Sequence, residues 1–412
     1  MISRRIFLKD GGLALVSLGF APAFLARTVE GSAAGRQKVL IAIFQRGAVD
    51  GLNMIVPFGD ADYYSARPTI AIARPGSGDD TAIDLDGFFG LHPRMRSLKP
   101  LWEAGSMAIV HASGSHDETR SHFDAQDYME SGTPGVKSTS DGWMNRYLHA
   151  KEHQKATPFR AVALAQQLPR VLQGTAPALA IGQIAQFGIR AGRVTESVQS
   201  SFEAEYAAAA NSVLHTTGRE AFDAVRMLRK ADPAQYAAAN GAEYPRSPFG
   251  DALRQIAQLI KADVGLEVAF AESGNWDHHA NEGAAVGVLA NRLDDLSRGI
   301  AALVRDLGDR MQDVVVMTMS EFGRAVTENG SRGTDHGHGN AMMILGGAVR
   351  GGKVYGRWPG LAREQRHDGR DLAITTDFRA VFNEVVRGHL GLSETSRVFP
   401  GFQGSPALGL IA

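Results

Sequence analysis

The chain has 412 residues, 44% of them hydrophobic and 21% charged, with a formal net charge of −1. That length and balance describe a globular protein with a large core, and the lack of a basic surplus argues against nucleic acid as a partner. There is no cysteine, which excludes disulfides, a catalytic thiol and a zinc site built on thiolates.

At the N-terminus, Ser3-Arg4-Arg5-Ile6-Phe7-Leu8-Lys9 reads as a twin-arginine export signal, and an apolar stretch runs from Leu13 to Leu25. A membrane-spanning helix needs about 20 apolar residues, so this stretch is too short to span. Basic residues before it and small residues after it mark a cleavable signal, with Ala21-Pro22-Ala23 and Ser32-Ala33-Ala34 as candidate cleavage points. Residues 1–34 are therefore assigned to the signal and residues 35–412 to one α/β domain. The expected location is periplasmic or extracellular, and the expected export partner is the twin-arginine translocase. The membrane is touched only through the signal, if it stays uncleaved. That route carries folded proteins, often loaded with a metal or cofactor.

Lys38 to Phe44 is a continuous apolar run of β-formers, as in a strand buried on both faces, and it ends in the polar turn Gln45-Arg46-Gly47-Ala48-Val49-Asp50-Gly51. Residues 94–104 have helical spacing, Met107 to Val110 reads as a short strand ending at His111, and Phe159 to Leu164 as another. The Ala-rich residues 196–262 are helical in pattern and are assigned to an insertion or cap. Leu266 to Phe270 is a strand running into Gly274-Asn275-Trp276-Asp277-His278-His279. Residues 289–307 form an amphipathic helix with Leu289, Leu293, Leu296, Ile300, Leu303 and Leu307 on one stripe. Val314 to Met319 and Ala341 to Leu345 are further strands. Strands alternating with helices predict a mostly parallel sheet covered by helices on both faces.

Ligand-capable residues gather after these strands. Seven of the thirteen histidines lie in three short segments: His111, His116 and His122; His278 and His279; His336 and His338. In open parallel sheets, ligands bind beyond the carboxyl ends of strands. If those ends share one edge, Asp50, Asp277, His279, Glu321, Asp335 and His336 converge there, with His122 and His338 as further candidates. Mixed carboxylate and imidazole donors suit one or two divalent ions, whether zinc, manganese, iron or calcium. Thr334-Asp335-His336-Gly337-His338-Gly339 is the densest stretch. Thr119-Arg120-Ser121-His122-Phe123 opens an apparent helix from Asp124 to Glu130; Ser121 there reads as a helix cap or as a nucleophile, and Arg120 as a surface ion pair or as a stabiliser of negative charge.

The order of these motifs resembles the alkaline phosphatase/sulfatase superfamily, and more closely its twin-arginine-exported branch known as domain of unknown function 1501. The carrying segments are Arg46 to Leu52, Leu91-His92-Pro93, Arg120 to Gln126, Asn275 to His279, Ser320 to Arg324, Gly333 to Gly337 and Thr375 to Arg379. The resemblance implies an alkaline phosphatase-like three-layer α/β sandwich. It implies metal binding by Asp50, by Asp277 with His279, by Glu321 and by His336, and a nucleophile at Ser121 or His122. Two positions depart from the superfamily pattern. Phe322 stands where a His or Asn ligand is usual, and His279 lies two residues after Asp277 rather than four, where this chain has Asn281. Asp335-His336 also reads as the Asp-His pair itself. The implied activity is metal-dependent hydrolysis of phosphate or sulfate esters on a small-molecule or polymer substrate. The alternative is a non-catalytic periplasmic binding or assembly protein with a degraded metal site.

Overall fold

The structure, a computed structural model, describes residues 36–151, 157–184 and 236–412. The export signal and residues 196–235 of the Ala-rich stretch lie outside the described residues. Twelve strands are present among them: β1 Val39–Gln45, β2 Ile55–Val56, β3 Ile83–Asp84, β4 Gly90–Leu91, β5 Met107–Gly114, β6 Ala161–Ala163, β7 Leu179–Ala180, β8 Val268–Ser273, β9 Val314–Met319, β10 Asn340–Gly346, β11 Lys353–Tyr355 and β12 Thr376–Asp377. Nine of them form one sheet in the order β11-β5-β10-β9-β1-β8-β6-β7, with β12 also pairing to β5; β2, β4 and β3 make a small antiparallel sheet.

Alternate side chains of β1 feed two separate cores. Val39, Ile41 and Ile43 face the helices Pro248–Lys261 and Val288–Leu307. Leu40, Ala42 and Phe44 face the helices Trp143–Ala150 and Phe378–Gly388. A strand buried on both sides needs apolar residues at every position, which is why this run does not alternate with polar ones. The result is the expected three-layer α/β sandwich.

Three expectations change in detail. The 94–104 segment is not one helix: a 3-10 turn, Pro93–Leu98, kinks at Met95 into the short helix Lys99–Glu103. The C-terminal part of the Ala-rich stretch is no cap, because Pro248–Lys261 buries Phe249, Leu253, Ile256, Leu259 and Ile260 in the core of one helical layer. Finally, β10 runs antiparallel to both neighbours, β9 and β5, whereas β1 is parallel to β8 and β9.

That reversal positions the site. The ends of β1, β8 and β9 lie level, with Phe44 opposite both Glu272 and Met319. Because β10 runs the other way, its amino end enters the sheet at the edge where those three strands leave it. Segments after β1, β8 and β9 and the segment before β10 therefore share one rim. On the second helical layer, Phe382 is fully buried, with ring centroids 5.1 Å from Phe378 and 4.8 Å from Trp143. Phe382→Ala is expected to cost about 3–5 kcal/mol of unfolding free energy, through lost burial and the cavity left behind. Denaturant titration checks this, and a loss below about 1 kcal/mol would show a layer that collapses to fill the space.

Candidate metal centre

Three chain segments interlock at the rim. After β8, the buried Trp276 donates its ring N–H to the Ser273 carbonyl at 2.8 Å, and its backbone N–H to Arg46 at 3.2 Å. This double anchor turns the following residue, Asp277, outward. Gly47 makes the approach feasible: its φ is +112°, and a Cβ there would stand 2.8 Å from the Asp277 nitrogen. After β9, residues 323–325 pair with residues 335–338 through Ala325 N–H to Asp335 O (2.9 Å), Gly337 N–H to Gly323 O (2.8 Å) and Gly323 N–H to His338 O (2.9 Å). This small ladder carries His336. The third segment is the helix His122–Ser131, whose first residue points at the same place.

Four side chains converge. One donor atom from each of His122, Asp277 and His336 lies within 4.8 Å of the others, the sole such group of three or more among the described residues. His122 Nε2 is 3.0 Å from His336 Nε2 and 3.5 Å from Asp277 Oδ2. His336 Nε2 is 3.3 Å from Asp277 Oδ1. His279 joins from the open side, its Nε2 3.0 Å from both His336 Nε2 and Asp277 Oδ1.

The other ring nitrogens fix the protonation pattern. His122 Nδ1 faces Glu321 Oε1 at 2.9 Å, His336 Nδ1 faces the Arg120 carbonyl at 2.8 Å, and His279 Nδ1 faces Asp335 Oδ1 at 3.3 Å. Ionised carboxylates and carbonyls only accept, so each Nδ1 carries a proton, and a ring with no second proton turns its Nε2 lone pair inward. Lone pairs 3.0 Å apart repel unless a cation lies among them, either a proton or a metal ion. Metal-bound imidazoles show this same outward Nδ1–H to carbonyl or carboxylate. The Glu321 hydrogen bond raises the His122 pKa against the lowering effect of burial. Burial alone would raise the Asp277 carboxyl, but the Arg324 guanidinium, 2.8 Å away, holds it below the usual range.

The remaining predicted residues fall outside this inner set. Glu321 is buried, and its Oε1 also accepts from Gly47 N–H and Gln126 Nε2, both at 2.8 Å. Burial would raise its carboxyl; the hydrogen bonds from His122 and Gln126 outweigh it and keep the group ionised. Glu321 and Asp335 thus stand behind the imidazoles. Asp50 is not brought to the cluster either. Its carboxylate is ion-paired with the fully buried Arg67 and accepts from Leu52 N–H at 3.2 Å. Burial, and the Asp50 carboxylate beside it, hold the neighbouring Glu282 well above the usual carboxyl range. His338 is buried and stacked on His367 at 4.3 Å, and burial pushes its pKa down to about 4.

Ser121 sits at the N-cap of its helix but makes no side-chain cap bond, and the residue is exposed. Arg120 donates to the buried Asp371 at 2.7 Å while its carbonyl holds His336. Phe322 packs 5.0 Å from the rings of both His122 and His336. Sequence reasoning gave no role to Arg324, Gln126, Glu282 or Thr334. Arg324, Gln126 and Thr334 stood inside quoted motifs; nothing in the spacing marks Glu282. Thr334 Oγ1 donates to Glu282 at 2.9 Å and accepts from Arg324 at 3.2 Å, so a hydrogen-bond chain runs beneath the cluster to Asp277.

Two variants separate the roles. Glu321→Gln should keep the fold but weaken metal affinity by about 10–100-fold, as for other partners of ligating imidazoles, in titration with zinc or cobalt. Asp50→Ala strands the Arg67 charge in the core and should cost about 3–5 kcal/mol of stability, with unchanged metal stoichiometry in whatever fraction stays folded.

No curated protein sequence matches the chain. Its structure is similar to that of a sulfatase from Pseudoalteromonas sp., with a TM-score of 0.40 and 12% identity over 92% of this chain and 72% of that one. It is also similar to the C-terminal periplasmic domain of EcEptC from Escherichia coli, solved in complex with Zn, with a TM-score of 0.33 and 8% identity over 77% and 75% of the two chains. A third likeness is the soluble domain of lipooligosaccharide phosphoethanolamine transferase A from Neisseria meningitidis, with a TM-score of 0.35 and 11% identity over 79% and 86%. The family model described as "Protein of unknown function (DUF1501)" matches residues 37–398, and the chain belongs to that family.

Proposed function

We propose that the protein is an exported, metal-dependent hydrolase of phosphate or sulfate esters. The observation that carries this reading is the inward convergence of three imidazole Nε2 atoms on the Asp277 carboxylate, each ring anchored through its Nδ1. Three nitrogens and one carboxylate oxygen suit zinc, with iron or manganese next; calcium prefers oxygen donors throughout. The donor set fits one ion, held by His122, Asp277, His336 and, from the open side, His279.

When bound, such an ion supplies charge that polarises an ester oxygen and lowers the pKa of a hydroxyl or water. The chain's own groups do the rest. Ser121, adjacent to His122 and free of a cap bond, is the nucleophile, and Glu321 keeps His122 in the tautomer that faces inward. The Arg120 guanidinium, more than a third exposed, offsets charge on the transferred group. The half-exposed Asp277 and His279 leave the centre open to substrate on one side. Export by the twin-arginine translocase rests on residues 4 and 5 and the short apolar stretch after them. Among the described residues no helix is long and apolar enough to cross a membrane.

Elemental analysis of the purified mature protein, followed by a screen with chromogenic phosphate and sulfate esters, tests the proposal. The expected result is about one equivalent of zinc, iron or manganese and turnover of at least one ester. In Asp277→Ala, kcat/KM should fall by more than the ~100-fold typical of an outer-sphere partner. A fully folded, metal-free protein with no turnover would instead favour the non-catalytic binding or assembly role.

A further inference from the structure

Resting on the metal-centre reading above, we propose that Gln126 is a positioning residue, which fixes Glu321 as the acceptor that turns the His122 ring toward the donor set. The placement begins with helix spacing. His122, Gln126 and Glu130 stand four residues apart on the helix His122–Ser131, so they share one face. His122 Nδ1 meets Glu321 Oε1 at 2.9 Å, and Gln126 Nε2 donates to that same oxygen at 2.8 Å. One turn further on, Glu130 Oε1 accepts from Arg46 Nη2 at 2.8 Å.

The direction of the Gln126 amide is set by its two neighbours. Arg46 Nη1 donates to Gln126 Oε1 at 2.9 Å, and a guanidinium has no acceptor to offer, while the ionised Glu321 has no donor. The amide oxygen therefore faces Arg46 and the amide nitrogen faces Glu321. A flipped amide would set donor against donor and acceptor against acceptor. Arg46 is itself held by Glu272, whose Oε1 accepts from Nε at 2.7 Å, and by the buried Glu130. A continuous chain of hydrogen bonds thus runs from Glu272 through Arg46, Gln126 and Glu321 to His122.

A neutral amide at this point passes on direction without charge. A guanidinium in direct contact with Glu321 would compete with His122 for the carboxylate, through bonds about twice as strong as neutral ones. The Arg46 charge is met instead by Glu130 and Glu272. An acceptor behind a ligating imidazole orients the ring and raises its basicity, and Gln126 holds that acceptor in place. Docking of the helix rests on other contacts. Ala125 packs with Ala48 and Phe322, Asp127 accepts from Arg170 Nε at 2.8 Å, and Glu130 Oε2 accepts from Val171 N–H at 2.9 Å. Replacing Gln126 therefore removes the link to Glu321 and leaves the helix seated.

The test is a double-mutant cycle on zinc affinity, read by competition with a chromogenic chelator. Gln126→Met keeps the length of the side chain and removes both hydrogen bonds; Gln126→Ala is the second variant. With Glu321 present, either should weaken zinc binding by about tenfold, the low end of the range for partners of ligating imidazoles. In a Glu321→Ala background the same substitutions should change affinity by less than about twofold, because residues that act through one another are not additive. A second readout needs no metal. Long-range proton–nitrogen NMR of the metal-free protein, at a pH above the histidine range, reports which ring nitrogen of His122 carries the proton. Wild type should show Nδ1–H, and Gln126→Met should move part of the population to Nε2–H. An equal loss of affinity in both backgrounds would overturn the inference, by assigning Gln126 to the fold alone. So would unchanged affinity and an unchanged tautomer in Gln126→Met. Failure of the metal reading looks different: wild type takes up no zinc, and the tautomer alone then decides whether Gln126 sets the His122 ring.

Discussion

Three neutral imidazoles cannot rest with their lone pairs 3.0 Å apart unless something positive lies among them. That electrostatic constraint organises this rim of the sheet. It explains why each ring has an acceptor behind it, and why the acceptors differ. Glu321 is buried, and the hydrogen bonds it accepts from His122, Gln126 and Gly47 hold its carboxyl below the usual range. Arg120 offers a carbonyl, and Asp335 stands in solvent. A graded set of acceptors gives a graded set of rings, from the tightly held His122 to the open His279.

A second layer of charge lies beneath. Asp50 with Arg67, and Asp277 with Arg324, are two pairs whose arginines are both fully buried, and burial beside Asp50 pushes the Glu282 carboxyl well above its usual range. Removing one member of such a pair leaves an uncompensated buried charge. The position of Asp277 therefore derives in part from a group, Arg324, that lies outside the imidazole cluster. Phe322 belongs to the same logic. Its ring packs against two of the imidazoles, one of them His122, the first residue of the His122–Ser131 helix.

Much of the fold was legible because burial on both faces leaves a plain mark, and Val314–Met319 appears with the boundaries its apolar run implies. The reversed direction of β10 was not legible, since a seven-residue apolar strand reads the same in either direction. At the site, Asp277, His279 and His336 were readable as ligand types gathered after strands. Asp50 was misleading for a physical reason. An aspartate in a glycine-flanked turn looks alike whether it meets a cation or a buried guanidinium, and its real partner, Arg67, sits in a segment with no motif. Glu321 and Asp335 do reach this rim, where their carboxylates face imidazole Nδ1 atoms, an orientation that residue type alone does not reveal.

The antiparallel pairing of β9 and β10 has a consequence for how the centre is encoded. The connection between them, residues 320–339, carries Glu321, Phe322, Arg324, Thr334, Asp335 and His336. One of the cluster's four side chains, with much of its support, thus belongs to a single loop between adjacent strands, where contacts are local in sequence and closure costs little entropy. Only Asp277, His279 and His122 must be brought from afar. Chemistry at this rim can diverge by rewriting one loop while the sheet beneath keeps its register.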